Sequence, residues 1–220
     1  MHNQRLWGPA MDSPEDVVGW LAAMQSQEFA LAEWAVAQRA RSVKKAAIDR
    51  AVANGTILRS HVMRPTWHFV LPADIRWLLE LTRPRIHALN AFIYRRFGLD
   101  DEVFAKTNAV IADALDRGPH LTRKELASVL AGAGITASGL HLAYILMRAE
   151  LDAVICSGAP KGRQQTYARL EDRVPQTPSL DRKQALAELT RRYFTSRGPA
   201  TLKDYLRWSS LTAADGQQGL

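Results

Sequence analysis

Two glutamines flank a serine near the start of the chain, at Gln25-Ser26-Gln27. A neutral amide is too weak a base to take a proton from water on its own, but it can orient a water molecule through hydrogen bonds. Apolar residues from Val17 to Met24 follow helical spacing, which predicts a helix that ends at this segment. Residues two apart on a continuous helix point about 200° away from each other. Both amides can therefore face one site only if the helix breaks here, and a pair of surface glutamines is the alternative.

Basic side chains are associated with two predicted hairpins. Arg59 and Arg64 belong to the first hairpin, and Lys161 and Arg163 lie in the glycine-flanked loop of the second. Such positions suit contacts with DNA phosphates, and a solvated charged turn is the alternative. His68 lies on the returning strand of the first hairpin. We expect it either to face DNA or to be a hydrogen-bonded structural residue.

The elements that would position these residues follow a repeated order. Three predicted helices precede a hairpin over residues 57–71. Connecting helices are predicted over 74–81, 85–97 and 102–115, and after them the order helix, turn, helix, strand, basic loop, strand recurs. This layout is typical of a winged helix-turn-helix module. A third copy is indicated by the capping pair Thr201 and Asp204, which repeats Thr122 and Glu125 about 80 residues earlier.

We therefore expect a mainly α fold with small β-hairpins, built from tandem winged helix-turn-helix modules. The predicted units are a first module with N-terminal helices (1–82), connecting helices (83–117), a second module (118–175), and a helix with the start of a third module (176–220). The third module is expected to be truncated. Four of its large side chains should then lack part of their cover: Leu202, Tyr205, Leu206 and Trp208.

Composition narrows the function classes. The 220 residues carry a net charge of +7, and residues 31–100 alone hold twelve basic and five acidic side chains, which favours a polyanionic partner. Cys156 is the single cysteine, which excludes a disulfide framework and a thiolate zinc site and favours a reducing cytoplasm. Spacings typical of metal sites, serine nucleophiles and phosphate-binding loops do not occur in the sequence, so we expect neither metal nor cofactor. Apolar runs are too short for a membrane span.

Several short motifs resemble those of the AlkZ/YcaQ-like winged-helix DNA glycosylase family. They are Gln25-Ser26-Gln27, the run from His61 to Val70 (HVMRPTWHFV), Asp74-Ile75-Arg76-Trp77, Cys156-Ser157-Gly158, Gly162-Arg163-Gln164 and Gly198-Pro199-Ala200-Thr201. The resemblance implies tandem winged helices followed by a C-terminal β-rich portion, which we expect this chain to lack. It also implies that Gln25 and Gln27 form the family's catalytic Gln-x-Gln signature, with Ser26 in place of the usual aliphatic residue. His68 matches the family's Thr-x-His element.

The function implied by the resemblance is hydrolysis of the N-glycosidic bond of cationic alkylated purines, including bulky adducts or crosslinks. Gln25 and Gln27 would position the water and the sugar, and the partner would be double-stranded, alkylated DNA. Five residues are expected to hold it: Arg59, Arg64, His68, Lys161 and Arg163. One alternative is a non-catalytic winged-helix DNA-binding protein, either a regulator or a truncated remnant. Another is a protein-interaction scaffold.

Overall fold

The structure is a computed structural model that describes residues 1–175 and 180–220. Helices dominate these residues, and short strands form two three-stranded antiparallel sheets, which confirms the expectation of a mainly α fold with small β-hairpins. The helices are α1 (Pro14–Leu21), α2 (Phe29–Ala37), α3 (Lys45–Asn54), α4 (Pro72–Arg96), α5 (Asp101–Ala114), α6 (Arg123–Gly132), α7 (Gly139–Leu151), α8 (Leu170–Arg173), α9 (Arg182–Arg197), α10 (Leu202–Ser209) and α11 (Ala213–Gly219). The strands are β1 (Met24–Gln25), β2 (Leu58–His61), β3 (Trp67–Val70), β4 (Leu121–Thr122), β5 (Ile155–Ser157) and β6 (Thr166–Arg169).

The first unit has the order α1-β1-α2-α3-β2-β3, and β3 lies between β1 and β2 in its sheet. α1 begins at a capping box, in which the Ser13 hydroxyl accepts the Asp16 N–H and the Asp16 carboxylate bonds back to Ser13. α3 ends at Gly55, whose left-handed conformation (φ 82°) suits a residue without a Cβ. The helices bury their apolar faces against the sheet around Val36 and Phe69.

The second unit repeats this order as α5-β4-α6-α7-β5-β6, with β6 central in its sheet. Asp100 caps α5, and Thr122 caps α6 through the predicted box with Glu125. Phe104 of α5 shares a core with Leu126 of α6. Because α5 packs in this core, we propose that the second unit begins at Asp100 rather than at the predicted residue 118.

One long helix, α4, connects the two units. The sequence predicted two helices here, over 74–81 and 85–97, whereas the structure has one helix with Pro84 inside it. Proline removes a backbone donor and usually ends or kinks a helix. Leu81 and Ile86, on either side of it, are both buried in one core, and this packing favours continuation of the helix.

Helices α9, α10 and α11 form the third group, and α9 packs against α1 and α4. Tyr205 is fully buried and its hydroxyl accepts a hydrogen bond from Thr190 at 3.0 Å, so the expectation that Tyr205 lacks cover is wrong. α9 supplies that cover, and the other three large side chains are half-buried against the same core. The predicted start of this unit, residue 176, lies outside the described residues. Across those residues, no helix is both long and apolar enough to cross a membrane.

Candidate functional site

The Gln25-Ser26-Gln27 segment lies on a sheet edge and not at a helix end. α1 ends at Leu21, and the chain turns at Ala22 with a φ of 60°. β1 then pairs with β3, so that Gln25 lies opposite His68. The prediction of a continuous helix to Met24 is therefore wrong, because pairing with the hairpin outweighs helical spacing over these last residues.

An extended backbone resolves the geometrical problem of the two amides. Side chains two apart in an extended segment share a side, unlike those on a helix. Gln25 and Gln27 are exposed and Ser26 between them is 1% exposed, which is the alternation of an extended chain. The Ser26 N–H donates to the Trp67 carbonyl at 2.7 Å, and the Gln27 Oε1 accepts the Trp67 N–H at 3.3 Å. Both contacts tie the segment to the start of β3.

Arg59 holds the same segment from the neighbouring strand. Its Nε donates to the Ser26 carbonyl at 3.0 Å, and a terminal nitrogen donates to the Gln27 carbonyl at 3.2 Å. The guanidinium lies over the Trp67 ring, 4.2 Å from its centroid. Arg59 is 8% exposed and lies within β2, so the structure buries a side chain that was expected to contact DNA. Burial lowers its pKa. Two of its three guanidinium nitrogens donate to backbone carbonyls.

Arg197 holds the entry to the segment from the other end of the chain. A terminal nitrogen donates to the carbonyls of Leu21 at 3.0 Å and Ala23 at 3.2 Å. The guanidinium stacks over Trp208 at 4.3 Å. Burial lowers its pKa to about 10, which still leaves it charged near neutral pH. Sequence reasoning missed Arg197, because it lies more than 170 residues from the carbonyls it bonds and no local pattern links them.

His68 is fully buried, so the expectation that it faces DNA does not fit the structure. Its Nδ1 donates to the Thr66 carbonyl at 2.9 Å. Within the described part of the chain its Nε2 is buried and has no hydrogen-bond partner. Burial, with the nearby charge of Arg64, lowers the pKa of His68 to about 3. The imidazole is therefore neutral at pH 7, which fits the alternative that His68 is a hydrogen-bonded structural residue.

The remaining predicted DNA contacts lie in the two turns. Arg64 is half-buried between β2 and β3, and burial lowers its pKa. Lys161 and Arg163 are exposed in the loop between β5 and β6. The Lys161 ammonium bonds both oxygens of Glu125, at 2.8 and 3.0 Å. That contact lowers the pKa of Glu125 to about 2. Lys161 must leave Glu125 before it can contact a phosphate.

A buried polar junction joins the first sheet to the second unit. The Glu150 carboxylate, on α7, accepts hydrogen bonds from His61 Nδ1 and from Trp67 Nε1, the latter at 3.2 Å. The Arg59 backbone N–H donates to the Ser157 hydroxyl at 2.8 Å. Beside this junction lies a cavity of about 260 Å³ that is lined by Gln27, His61 and Trp67 together with side chains of α7. The second unit therefore forms part of the surroundings of Gln27.

A family model described as DNA glycosylase AlkZ-like matches residues 18–220. The chain belongs to this family. It is 26% identical over 222 residues to the interstrand DNA cross-link repair glycosylase of Streptomyces sahachiroi, with 97% of this chain and 59% of that protein covered. It also matches the solved structure of Streptomyces sahachiroi DNA glycosylase AlkZ, with a TM-score of 0.81, 24% identity, and coverage of 100% of this chain and 62% of that chain.

Membership of the AlkZ-like family confirms the resemblance that the sequence motifs indicated. The match spans the glutamine segment, the junction and both basic turns. The structural similarity supports the mainly helical fold. The chain spans about three fifths of the length of the curated relative. The roles of individual residues stay predictions.

Proposed function

We propose that this AlkZ-like chain binds alkylated double-stranded DNA and hydrolyses the N-glycosidic bond of cationic alkylpurines. The observation that carries the proposal is the exposed pair Gln25 and Gln27, which flank the buried Ser26. Hydrogen bonds from Arg59 and Trp67 hold this segment, and Arg197 holds the backbone that leads into it. Two exposed amides on a backbone held in this way can orient one water molecule and one sugar.

The chemistry suits neutral amides. Alkylation at N3 or N7 gives the purine a positive charge, so the base departs with its bonding electrons and needs no protonation by a strong acid. The sugar becomes oxocarbenium-like, and an amide oxygen beside it stabilises the developing positive charge. A second amide that accepts a hydrogen bond from water directs the water oxygen toward the sugar. The water proton passes to solvent as the new C–O bond forms.

DNA binding would rest on the cations of the two turns. Arg163 and Lys161 lie in an exposed loop, and Arg64 lies at the turn beside β3. With a net charge of +7, the chain attracts a polyanion and makes its binding salt-dependent. Arg59 and His68 would support this surface from beneath because both are buried.

The range of lesions is part of the proposal. The curated relative is named as an interstrand DNA cross-link repair glycosylase. We propose that this chain, too, accepts bulky or cross-linked purines in addition to small alkylpurines.

The test is release of N7-methylguanine from methylated duplex DNA by the purified chain. We expect wild type to release the base, and the Gln25→Ala, Gln27→Ala double variant to lose about a hundredfold or more in rate. Gln38→Ala is the matched control, because Gln38 is also exposed and lies at the end of α2. Equal rates for wild type and the double variant would refute the assigned roles.

Two other outcomes would identify the alternatives. Salt-dependent duplex binding without base release by wild type would indicate a non-catalytic DNA-binding protein. Failure to bind duplex DNA at low salt would instead favour a protein-interaction scaffold.

A further inference from the structure

A second, larger cavity adjoins the one that Gln27 lines. It measures about 560 Å³ and lies between the first sheet and helices α6 and α7 of the second unit. Trp67, Arg123 and Tyr167 line both cavities, so the two lie side by side.

The walls of the large cavity are mostly apolar and rigid. Ala127, Ala137 and Leu142 supply small and aliphatic surface, and two aromatic rings face them from the sheets. Trp67 is held by the Arg59 guanidinium at 4.2 Å and by the hydrogen bond to Glu150. Apolar cavities of about 300–1,000 Å³ with a few polar groups are typical of sites for organic ligands. This cavity therefore suits a flat ring better than it suits a methyl group.

The polar groups in the cavity are cations and amides. Arg123 and Lys124 lie at the start of α6. The Arg123 guanidinium donates to the Gly139 carbonyl, and Lys124 is exposed and can reach a phosphate at the mouth. No carboxylate occurs among the lining side chains of the described residues. Apolar walls and a cationic mouth are complementary to an aromatic ring attached to a sugar-phosphate chain.

We infer that this cavity receives a planar aromatic ring carried by the DNA next to the reacting nucleotide. Two groups could provide such a ring: a base turned out of the stack, or an aromatic substituent on the alkylated purine. This inference rests on the proposed function and gives it a substrate class, because a purine that carries only a methyl group leaves the cavity unused. The cavity adds affinity for bulky aromatic lesions.

A binding experiment tests the inference without base release, so its failure is distinct from failure of the proposed catalysis. The probe is a duplex with one stable purine that bears a pyrene ring, compared with the same duplex unmodified, by fluorescence anisotropy. Contact of a ring with aromatic walls favours binding by about tenfold or more. We expect wild type to prefer the pyrene duplex by that factor.

Filling the cavity should remove the preference. Ala127→Phe places a ring inside the cavity, and Ser138→Phe fills it from the rim at a position whose side chain makes no cap hydrogen bond. Ala131→Phe is the matched control, since Ala131 lies exposed on α6 and does not line the cavity. Circular dichroism establishes that each variant is folded. Ser138→Phe carries the test if Ala127→Phe is unfolded.

The second arm of the experiment distinguishes the two sources of the ring. A duplex that contains 2-aminopurine and no pyrene becomes more fluorescent when that base leaves the stack. If wild type raises the 2-aminopurine fluorescence and the filled variants do not, the ring in the cavity is a base. If wild type prefers the pyrene duplex without raising this fluorescence, the ring is the aromatic substituent. The inference is overturned if wild type shows neither signal, or if both filled variants keep the wild-type signals.

Discussion

Replacing Arg59 tests whether a buried arginine holds the glutamine segment in place. In Arg59→Met the side chain keeps most of its apolar volume but loses both bonds to the carbonyls of Ser26 and Gln27, and its position over Trp67. A hydrogen bond that involves a charged group contributes about 1.5–3 kcal/mol. Two such bonds set an upper limit of about 3–6 kcal/mol on the loss of unfolding free energy. Relief of the cost of burying a guanidinium offsets part of that loss, so we expect about 2–3 kcal/mol.

The expected effect on base excision is larger than the effect on stability. Without Arg59 the Gln27 backbone can shift, and a misplacement of about 1 Å costs about a hundredfold in rate. Affinity for duplex DNA should change less than about threefold, because Arg59 is buried and its donors are used by the backbone. Arg59→Lys should be intermediate, since one ammonium cannot reproduce the planar arrangement of donors.

Three measurements check these expectations: urea denaturation, single-turnover release of N7-methylguanine, and duplex affinity by anisotropy. Arg117→Met is the control, because the Arg117 side chain is 93% exposed. A variant that is destabilised but excises at the wild-type rate would show that Arg59 supports the fold and not the segment. A tenfold loss of DNA affinity with normal excision would instead support a direct contact between Arg59 and DNA, as the sequence suggested.

Two further predictions concern His68 and Glu125. The pKa of folded His68 is about 3, below the value of about 6.5 in an unfolded chain. The unfolded state therefore takes up a proton that the folded state excludes, and His68 lowers stability as the pH falls from 6.5 toward 3, by about 1.4 kcal/mol per pH unit. The unfolding free energy, measured by urea denaturation, should fall with decreasing pH more steeply for wild type than for His68→Gln, by this slope. Parallel pH profiles of the unfolding free energy would contradict the low pKa of His68. Glu125→Gln keeps the capping box of α6 but releases Lys161. The affinity for duplex DNA at low salt should therefore rise, and the slope of log affinity against log salt concentration should steepen by up to about one. Unchanged anisotropy titrations would show that Lys161 does not contact DNA.

Much of the fold could be predicted because it depends on neighbours in the chain. The predicted caps at Thr122 and Thr201 are contacts across three residues, and the structure has both helix starts. Hydrophobic spacing and turn residues likewise gave the repeated order of helices and hairpins. α4 was misjudged because burial on both sides of Pro84 outweighs the local effect of proline.

The glutamine segment shows why the candidate site was harder to predict. Helical spacing up to Met24 was a real local signal, but β1 exists only because β3, more than 40 residues later, pairs with it. Arg59 and His68 look like surface cations and DNA contacts in the sequence, and both are buried in the structure. Burial of a polar side chain depends on which distant carbonyl or sheet covers it, and residue type does not reveal that.

The family motifs, the basic character, the mainly helical class and the two glutamines are all evident in the sequence. Their surroundings are not: packing of the units places Gln25 at the end of an edge strand, brings Arg59 and Arg197 to backbone carbonyls in and before the glutamine segment, and opens a cavity beside Gln27. The difference lies in the range of the interactions. Caps and amphipathic periods act within a few residues, whereas the bonds of Arg59 and Arg197 to these carbonyls join residues about 30 to 176 apart, which meet only when the units pack together.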